Sequence, residues 1–324
     1  MMNIIRIENL VKKFGDLTAV DGINLSVYDG EIFGFLGPNG AGKSTTIKIL
    51  STLLRPTDGI VELAGYNVVK QPAQVRQSIG MVFQDPSLDN RLTAEENLKF
   101  HAMLYNVPRN LWEERINHAL KIVDLIDRRK SLVKTFSGGM KRRLEIARGF
   151  LHHPRVLFLD EPTVGLDPQT RNAIWEHVKR LRDEIGITVF MTTHYMDEAE
   201  NCDRIAIIDY GKIQAIDSPN ALKRMLGGDK IIIQGDNGLK DDLVSRFGFE
   251  VQEVQGEYHF TVPNGAEFVP KVVSEFPGRI RAIQVKEPSL DDVFLKLTGR
   301  AIRDDEASGR PVFRQHFHNR TRGH

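Results

Sequence analysis

Residues 32–45 read IFGFLGPNGAGKST, and this stretch decides the fold. Ile32–Leu36 is a short apolar run, the mark of a strand buried on both faces. A glycine-rich turn follows, and Lys43-Ser44-Thr45 opens a helical pattern that runs to about residue 52. Gly37, Gly42, Lys43 and Ser44 stand at the spacing of a phosphate-binding loop between strand and helix. Each residue type has a physical reason. Glycines let the backbone wrap a phosphate, Lys43 neutralises β and γ groups, and the Ser44 hydroxyl is a magnesium ligand. A bare helix N-terminus adds backbone N–H donors and a favourable dipole.

Working outward, VLFLDEP (156–162) supplies a second half. Four consecutive apolar residues predict a buried parallel strand beside the phosphate-loop strand, ending in Asp160 and Glu161. Asp160 can hold Mg²⁺ through water, and Glu161 can polarise an attacking water. Three further polar residues fall beyond predicted strands: Gln84 after GMVF, His194 after TVFMTT, and Asp167 in VGLD. Ligands of a doubly wound sheet bind where strands end. A second glycine pair, Ser137-Gly138-Gly139 in TFSGGMKRRLEIARG, feeds another helix and is a second anion site. Lys141-Arg142-Arg143, just after it, reads as a solvated helix face.

The rest of the chain frames these segments. Strands alternate with helices up to about residue 217, which predicts a parallel sheet covered on both faces. Residues 92–147 are helical in pattern, with Thr93 and Glu96 forming a capping box. RNAIWEHVKRLRDEIG places Ile174, Val178, Leu181 and Ile185 on one face, with Gly186 as the stop. From Lys230 the order becomes β-α-β-β-α-β, that of a small ferredoxin-like domain, and PSLDDVFLKLTG adds a last helix. The tail 300–324 lacks periodicity and reads as disordered.

Composition narrows the classes. The 324 residues carry 44 Lys+Arg against 43 Asp+Glu, a net charge of +1, which argues against an electrostatic grip on nucleic acid. One cysteine, Cys202, leaves no internal disulfide and suits a reducing compartment. No apolar run reaches the ~20 residues of a membrane span, and MMNIIRIENL is short and acidic for a signal peptide. A cytoplasmic protein that reaches a membrane only through a partner is the expectation.

The phosphate loop, Gln84, FSGGM, LFLDEPTVGLD and TTH, in this order over residues 1–225, resemble the nucleotide-binding subunit of an ABC transporter. FSGGM and the SLDDVF ending are similar to the daunorubicin-resistance type of ABC-2 exporter ATPase. The resemblance implies an α/β fold: a P-loop NTPase core with a parallel sheet, an antiparallel β part and a helical subdomain at about 89–150. It implies a nucleotide-binding domain over 1–226 and a small α+β domain over 229–299. ATP and Mg²⁺ would be the cofactors. Two copies would pack head to tail, so Ser137, Gly138 and Gly139 would serve the partner's ATP. Phe14 would stack on adenine, and Gly37, Pro38, Asn39, Gly40, Ala41, Gly42, Lys43, Ser44 and Thr45 would bind phosphates and Mg²⁺. Gln84 would contact Mg²⁺ and a separately encoded membrane permease, with the subunit held at the cytoplasmic face of the cell membrane. Glu161 would be the general base, His194 the γ-phosphate sensor, and Asp167 a link between the two sites.

The usual signature glutamine is Met140 here, so its hydrogen bond is lost while Ser-Gly-Gly remains. Export of a drug or other hydrophobic compound is the expected activity. An importer ATPase, a soluble ABC ATPase of ribosomes or DNA, and a non-catalytic regulator are the alternatives. One phosphate loop and one signature argue against tandem ribosomal types, and intact Glu161 and His194 argue against a regulator.

Overall fold

The computed structural model describes residues 2–299. The tail read as disordered lies outside them. β1 (Asn3–Phe14) and β2 (Leu17–Tyr28) pair as an antiparallel hairpin. β3 (Ile32–Leu36) leads into α1 (Lys43–Leu50). β4 (Asp58–Leu63), β5 (Tyr66–Asn67), α2 (Pro72–Ser78) and β6 (Ile79–Val82) follow. A helical stretch holds α3 (Ala94–Leu104), α4 (Trp112–Ile122) and α5 (Gly138–Phe150). The expected capping box is present: Thr93 caps α3 and Glu96 returns a bond to the Thr93 N–H. Next come β7 (Val156–Asp160), α6 (Pro168–Ile185), β8 (Thr188–Thr193), α7 (Met196–Ala199), β9 (Arg204–Asp209), β10 (Lys212–Asp217) and α8 (Pro219–Arg224). The remainder is β11 (Asp229–Gly235), α9 (Leu239–Phe247), β12 (Gln252–Val254), β13 (Glu257–Val262), α10 (Gly265–Glu275), β14 (Ile280–Lys286) and α11 (Leu290–Thr298).

These strands form three sheets. The first is antiparallel, β2-β1-β4-β5. The second runs β10-β9-β3-β8-β7-β6, parallel except for its β10 edge. The strand ending at Asp160 is therefore not beside the phosphate-loop strand, as its apolar run alone suggested. β8 lies between β3 and β7. An apolar run shows that a strand is buried but says nothing of its neighbours.

Alternation along the parallel strands feeds two cores. Phe33, Phe35, Phe158 and Phe190 face the layer shared with the antiparallel sheet and α1. Phe190 packs on Phe33 at 5.6 Å and on Phe158 at 5.5 Å between ring centroids. Ile32, Leu36, Leu157, Leu159, Val189 and Met191 face the opposite layer of helices. Both faces of β3 are thus filled, which fixes the loop that leaves its end.

The third sheet has the order β12-β13-β11-β14, with every neighbour antiparallel. This is the split β-α-β arrangement of a ferredoxin-like body. Its core holds Ile231, Ile233, Phe260 and Phe268. α11 then returns across the chain: Leu290, Val293 and Phe294 are buried in the helical layer of the parallel sheet. No helix among the described residues is long and apolar enough to cross a membrane.

Candidate active site

The loop after β3 closes because of its glycines. Gly42 caps α1 at φ 108°, and a Cβ there would meet the Ala19 carbonyl at 2.7 Å. A Cβ on Gly37 would meet the Ile208 carbonyl at 2.3 Å. Gly37 N–H donates to Thr193 O at 3.2 Å, and Ala41 N–H to Pro38 O at 3.2 Å. The first bond ties Gly37 to the end of β8 and the second closes the turn over Pro38, Asn39, Gly40 and Ala41, while Gly211 N–H, just past β9, donates to Ala41 O at 3.0 Å. No side chain caps α1 and no acid sits in its first turn, so Lys43, Ser44 and Thr45 present a positive helix end.

Lys43 is buried, at 4% exposed, and its Nζ donates to Gly37 O at 2.7 Å and Pro38 O at 3.2 Å. The same Nζ lies 3.2 Å from Glu161 Oε1. Burial pushes the Lys43 pKa down, and Glu161 opposes this. Glu161 Oε1 is also 3.4 Å from His194 Nδ1. Burial raises the Glu161 pKa, but His194 and Lys43 outweigh it and hold the group below the ordinary carboxylate value. Glu161 is thus a buried, ionised carboxylate, the state a general base needs. Its backbone sits at φ 46°, a left-handed conformation uncommon for any residue that carries a Cβ.

β8 supplies the connection between acid and loop. Thr192 Oγ1 donates to Asp160 Oδ1 at 2.6 Å, while the Glu161 N–H donates to Thr192 Oγ1 at 3.1 Å. Burial pushes the Asp160 pKa up, and the Thr192 bond only partly offsets it. A buried carboxylate in that condition is short of positive charge.

Other predicted residues are placed nearby or apart. Gln84 is exposed, two residues past β6. Phe14 ends β1, 47% exposed with Lys12 Nζ 4.9 Å from its ring centre, so it is an open flat face and not a core aromatic. Ser137 caps α5 by accepting from Met140 N–H at 3.2 Å, leaving Gly138 and Gly139 in the bare first turn. Asp167 caps α6 by accepting from Thr170 N–H at 3.0 Å. The two caps adjoin: a Cβ on Gly139 would meet Thr170 Cγ2 at 2.5 Å. No hydrogen bond or ion pair among the described residues joins Ser137, Gly138 or Gly139 to Lys43, Glu161 or His194. The N-termini of α1 and α5 are thus separate, and each lacks an acid in its first turn.

The run Lys141-Arg142-Arg143 is not the solvated face its charge implied. Arg142 is 7% exposed and bonds the carbonyls of Phe83, Asp160, Glu161 and Pro162. Arg143 donates to Val123 O at 3.1 Å. Helical periodicity carried a signal here, because Arg142 and Glu145 lie three apart on the face that also carries buried Ile146 and Gly149.

Residues 20–164 match the ABC transporter family, and residues 218–298 match the C-terminal domain of DrrA1-3-like ATP-binding proteins. The linearmycin resistance ATP-binding protein LnrL of Bacillus subtilis (strain 168) is 41% identical over 312 residues, covering 93% of this chain and 100% of the relative. The daunorubicin resistance ATP-binding protein DrrA2 of Streptomyces coeruleorubidus is 38% identical over 314 residues, covering 94% and 97%. A dimeric ATP-binding cassette in a post-hydrolysis state, bound to ADP and Pi, superposes with a TM-score of 0.59 at 29% identity, over 66% of this chain and 98% of that one. Sequence, fold and site geometry agree: the chain belongs to the ABC transporter family, as an ATP-binding subunit of the daunorubicin-resistance type.

Proposed function

We propose that this subunit hydrolyses ATP to power export of a drug or other hydrophobic compound through a separate membrane permease, working as a head-to-tail dimer. The observation that carries the reading is a pair of bare helix N-termini that share no hydrogen bond or ion pair among the described residues. The α1 end, with Lys43, would hold the chain's own nucleotide. The α5 end, with Ser137, Gly138 and Gly139, would complete the site of a second copy. Resistance ATPases over nearly the full length support export as the direction. The exposed Gln84 loop and the neighbouring helices α3 to α5 are the surface offered to the permease, which holds the subunit at the cytoplasmic face of the membrane.

Within each site the geometry supports the following roles. Phosphate draws the Lys43 ammonium, and the Lys43–Glu161 contact loosens as that charge is shared. Glu161, ionised and close to His194, is then free to orient water in line with the γ-phosphate. His194, just past β8 and 3.4 Å from Glu161, would sense the γ-phosphate, and Asp167 would couple the two sites. Phe14 offers its open face to adenine. Magnesium fits the donors present: the Ser44 hydroxyl, the Gln84 amide oxygen and the Asp160 carboxylate are all oxygen, and Asp160 is short of positive charge. When bound, it neutralises charge that develops on the β and γ oxygens.

The test is gentle solubilisation of membranes and capture of the full chain through an N-terminal tag. A stoichiometric polytopic membrane protein in the eluate is the expected result. Recovery from the soluble fraction alone, with ribosomes or with nothing, would replace export by a soluble role for the same ATPase.

A further inference from the structure

Arg142 and Glu145 have no part in the site as described, yet they are among the most deeply placed charges in the chain. Arg142 is 7% and Glu145 2% exposed. The guanidinium uses all of its donor directions. Nε donates to Pro162 O at 2.6 Å, one terminal nitrogen to Phe83 O and, at 3.0 Å, to Glu145 Oε2. The other terminal nitrogen donates to the carbonyls of Asp160 and Glu161, each at 3.3 Å. Glu145 turns its remaining oxygen to the Ser87 N–H, at 2.7 Å.

Nearly every partner is main chain, and the partners lie in two loops. Phe83 and Ser87 bracket Gln84. Asp160, Glu161 and Pro162 are the turn that carries the base. Both loops are tied to the second turn of α5, whose first turn holds Ser137 and Gly138. A buried ion pair is weak evidence for stability, because well-packed apolar residues of the same volume often do as well. A planar fork that reaches four carbonyls at once does something apolar residues cannot. Glu161 also needs such support: a non-glycine residue at φ 46° persists only where its surroundings over-determine it.

We propose that Arg142, locked by Glu145, is a positioning residue for hydrolysis, holding the Glu161 turn and the Gln84 loop in register with the helix that faces the second copy's nucleotide. The inference rests on Glu161 being the base. A shift of α5 when the second copy docks then moves both loops together, and the Gln84 loop cannot move without the Glu161 turn.

The test uses the full chain with whatever membrane subunit co-purifies, and reads ATP turnover beside binding of a fluorescent ATP analogue. Glu161→Gln alone checks the base: turnover falls to a small, measurable residue and analogue binding is kept. The double variant Arg142→Gln/Glu145→Gln removes both charges, so neither is left buried alone. Its expected behaviour is unchanged analogue affinity and KM with kcat lower on the order of a hundredfold, the scale of a misplaced catalytic group. Added to Glu161→Gln, the double change brings no further loss, because it acts through that carboxylate. If Glu161→Gln is nearly inactive but the double variant turns over normally, the positioning inference falls and the base stands. A further loss of equal size on the Glu161→Gln background also overturns it. Normal turnover by Glu161→Gln removes both readings. Should the double variant not fold, Arg142→Lys keeps the charge but offers three donors in place of five. It is expected to lose kcat at constant KM, and unchanged kcat there overturns the inference.

Discussion

Glu198 shows how a single carboxyl can be set by what surrounds it. It is 1% exposed on α7, just past His194. Thr163 Oγ1 donates to its Oε1, and Thr193 Oγ1 to its Oε2 at 2.6 Å. Burial pushes its pKa up to about 7, against the pull of the Thr193 hydroxyl and of Arg171. The folded state therefore keeps a proton that the unfolded chain releases near the ordinary carboxylate value. Its contribution to stability is complete below that value and is lost as pH rises towards 7. The advantage of the native chain over Glu198→Gln should thus shrink between about pH 4.5 and 7, by roughly 3 kcal/mol in all. Urea melts of both proteins across that range check it; a gap constant with pH would mean that Glu198 is ionised when folded. The stretch MDEAE gives no sign of this, since acids on a short helix ordinarily face water.

Among elements, α1 and α5 share a design and differ in their surroundings. Each begins at a small residue with no acid in its first turn, α1 at Gly42 and α5 at Ser137. The first is enclosed by β2, β8 and β9, whereas the glycines of the second lie against Leu166 and against Thr170 in the first turn of α6. A composite site makes a sharp demand of this pair. Lys43→Ala spoils the α1 end alone. Gly138→Asp spoils the α5 end alone, since a Cβ there meets nothing closer than Leu166 Cδ2 at 3.8 Å, and its charge repels phosphate. Each variant by itself should hydrolyse little ATP. Mixed, they should regain turnover, because the mixed dimer has one site with both ends intact. Mixing without any gain would show that each chain completes its own site.

At the scale of the whole molecule, α11 binds the C-terminal part to the nucleotide-binding body. The ferredoxin-like core closes without it, and Phe294, 1% exposed, packs instead in the helical layer near α7 and α8. Lys296 Nζ adds a bond to Met225 O at 3.0 Å. Truncation of so buried a ring leaves a cavity, and Phe294→Ala should lower stability by about 3–5 kcal/mol. The two tryptophans, Trp112 and Trp175, both lie in the nucleotide-binding body. Their fluorescence in denaturant should therefore register the loss, although residue 294 belongs to the far end of the chain. An unshifted tryptophan transition would mean that α11 stabilises only the C-terminal body.

The phosphate loop, the acids at the end of a buried strand, the capping box on α3 and the β-α-β-β-α-β order of the C-terminal part were all legible along the chain. These are local matters, in which chain direction, glycine freedom and hydrophobic period are enough. It took the closed fold to place β8 between β3, which leads into the phosphate loop, and β7, which ends at Asp160, to bury Arg142, and to pack α11 in the helical layer of the parallel sheet. Strand order depends on crossovers between distant segments, and whether a charge is buried depends on which carbonyls fold back to meet it. Neither has a period along the chain, so neither can be read before the chain closes on itself.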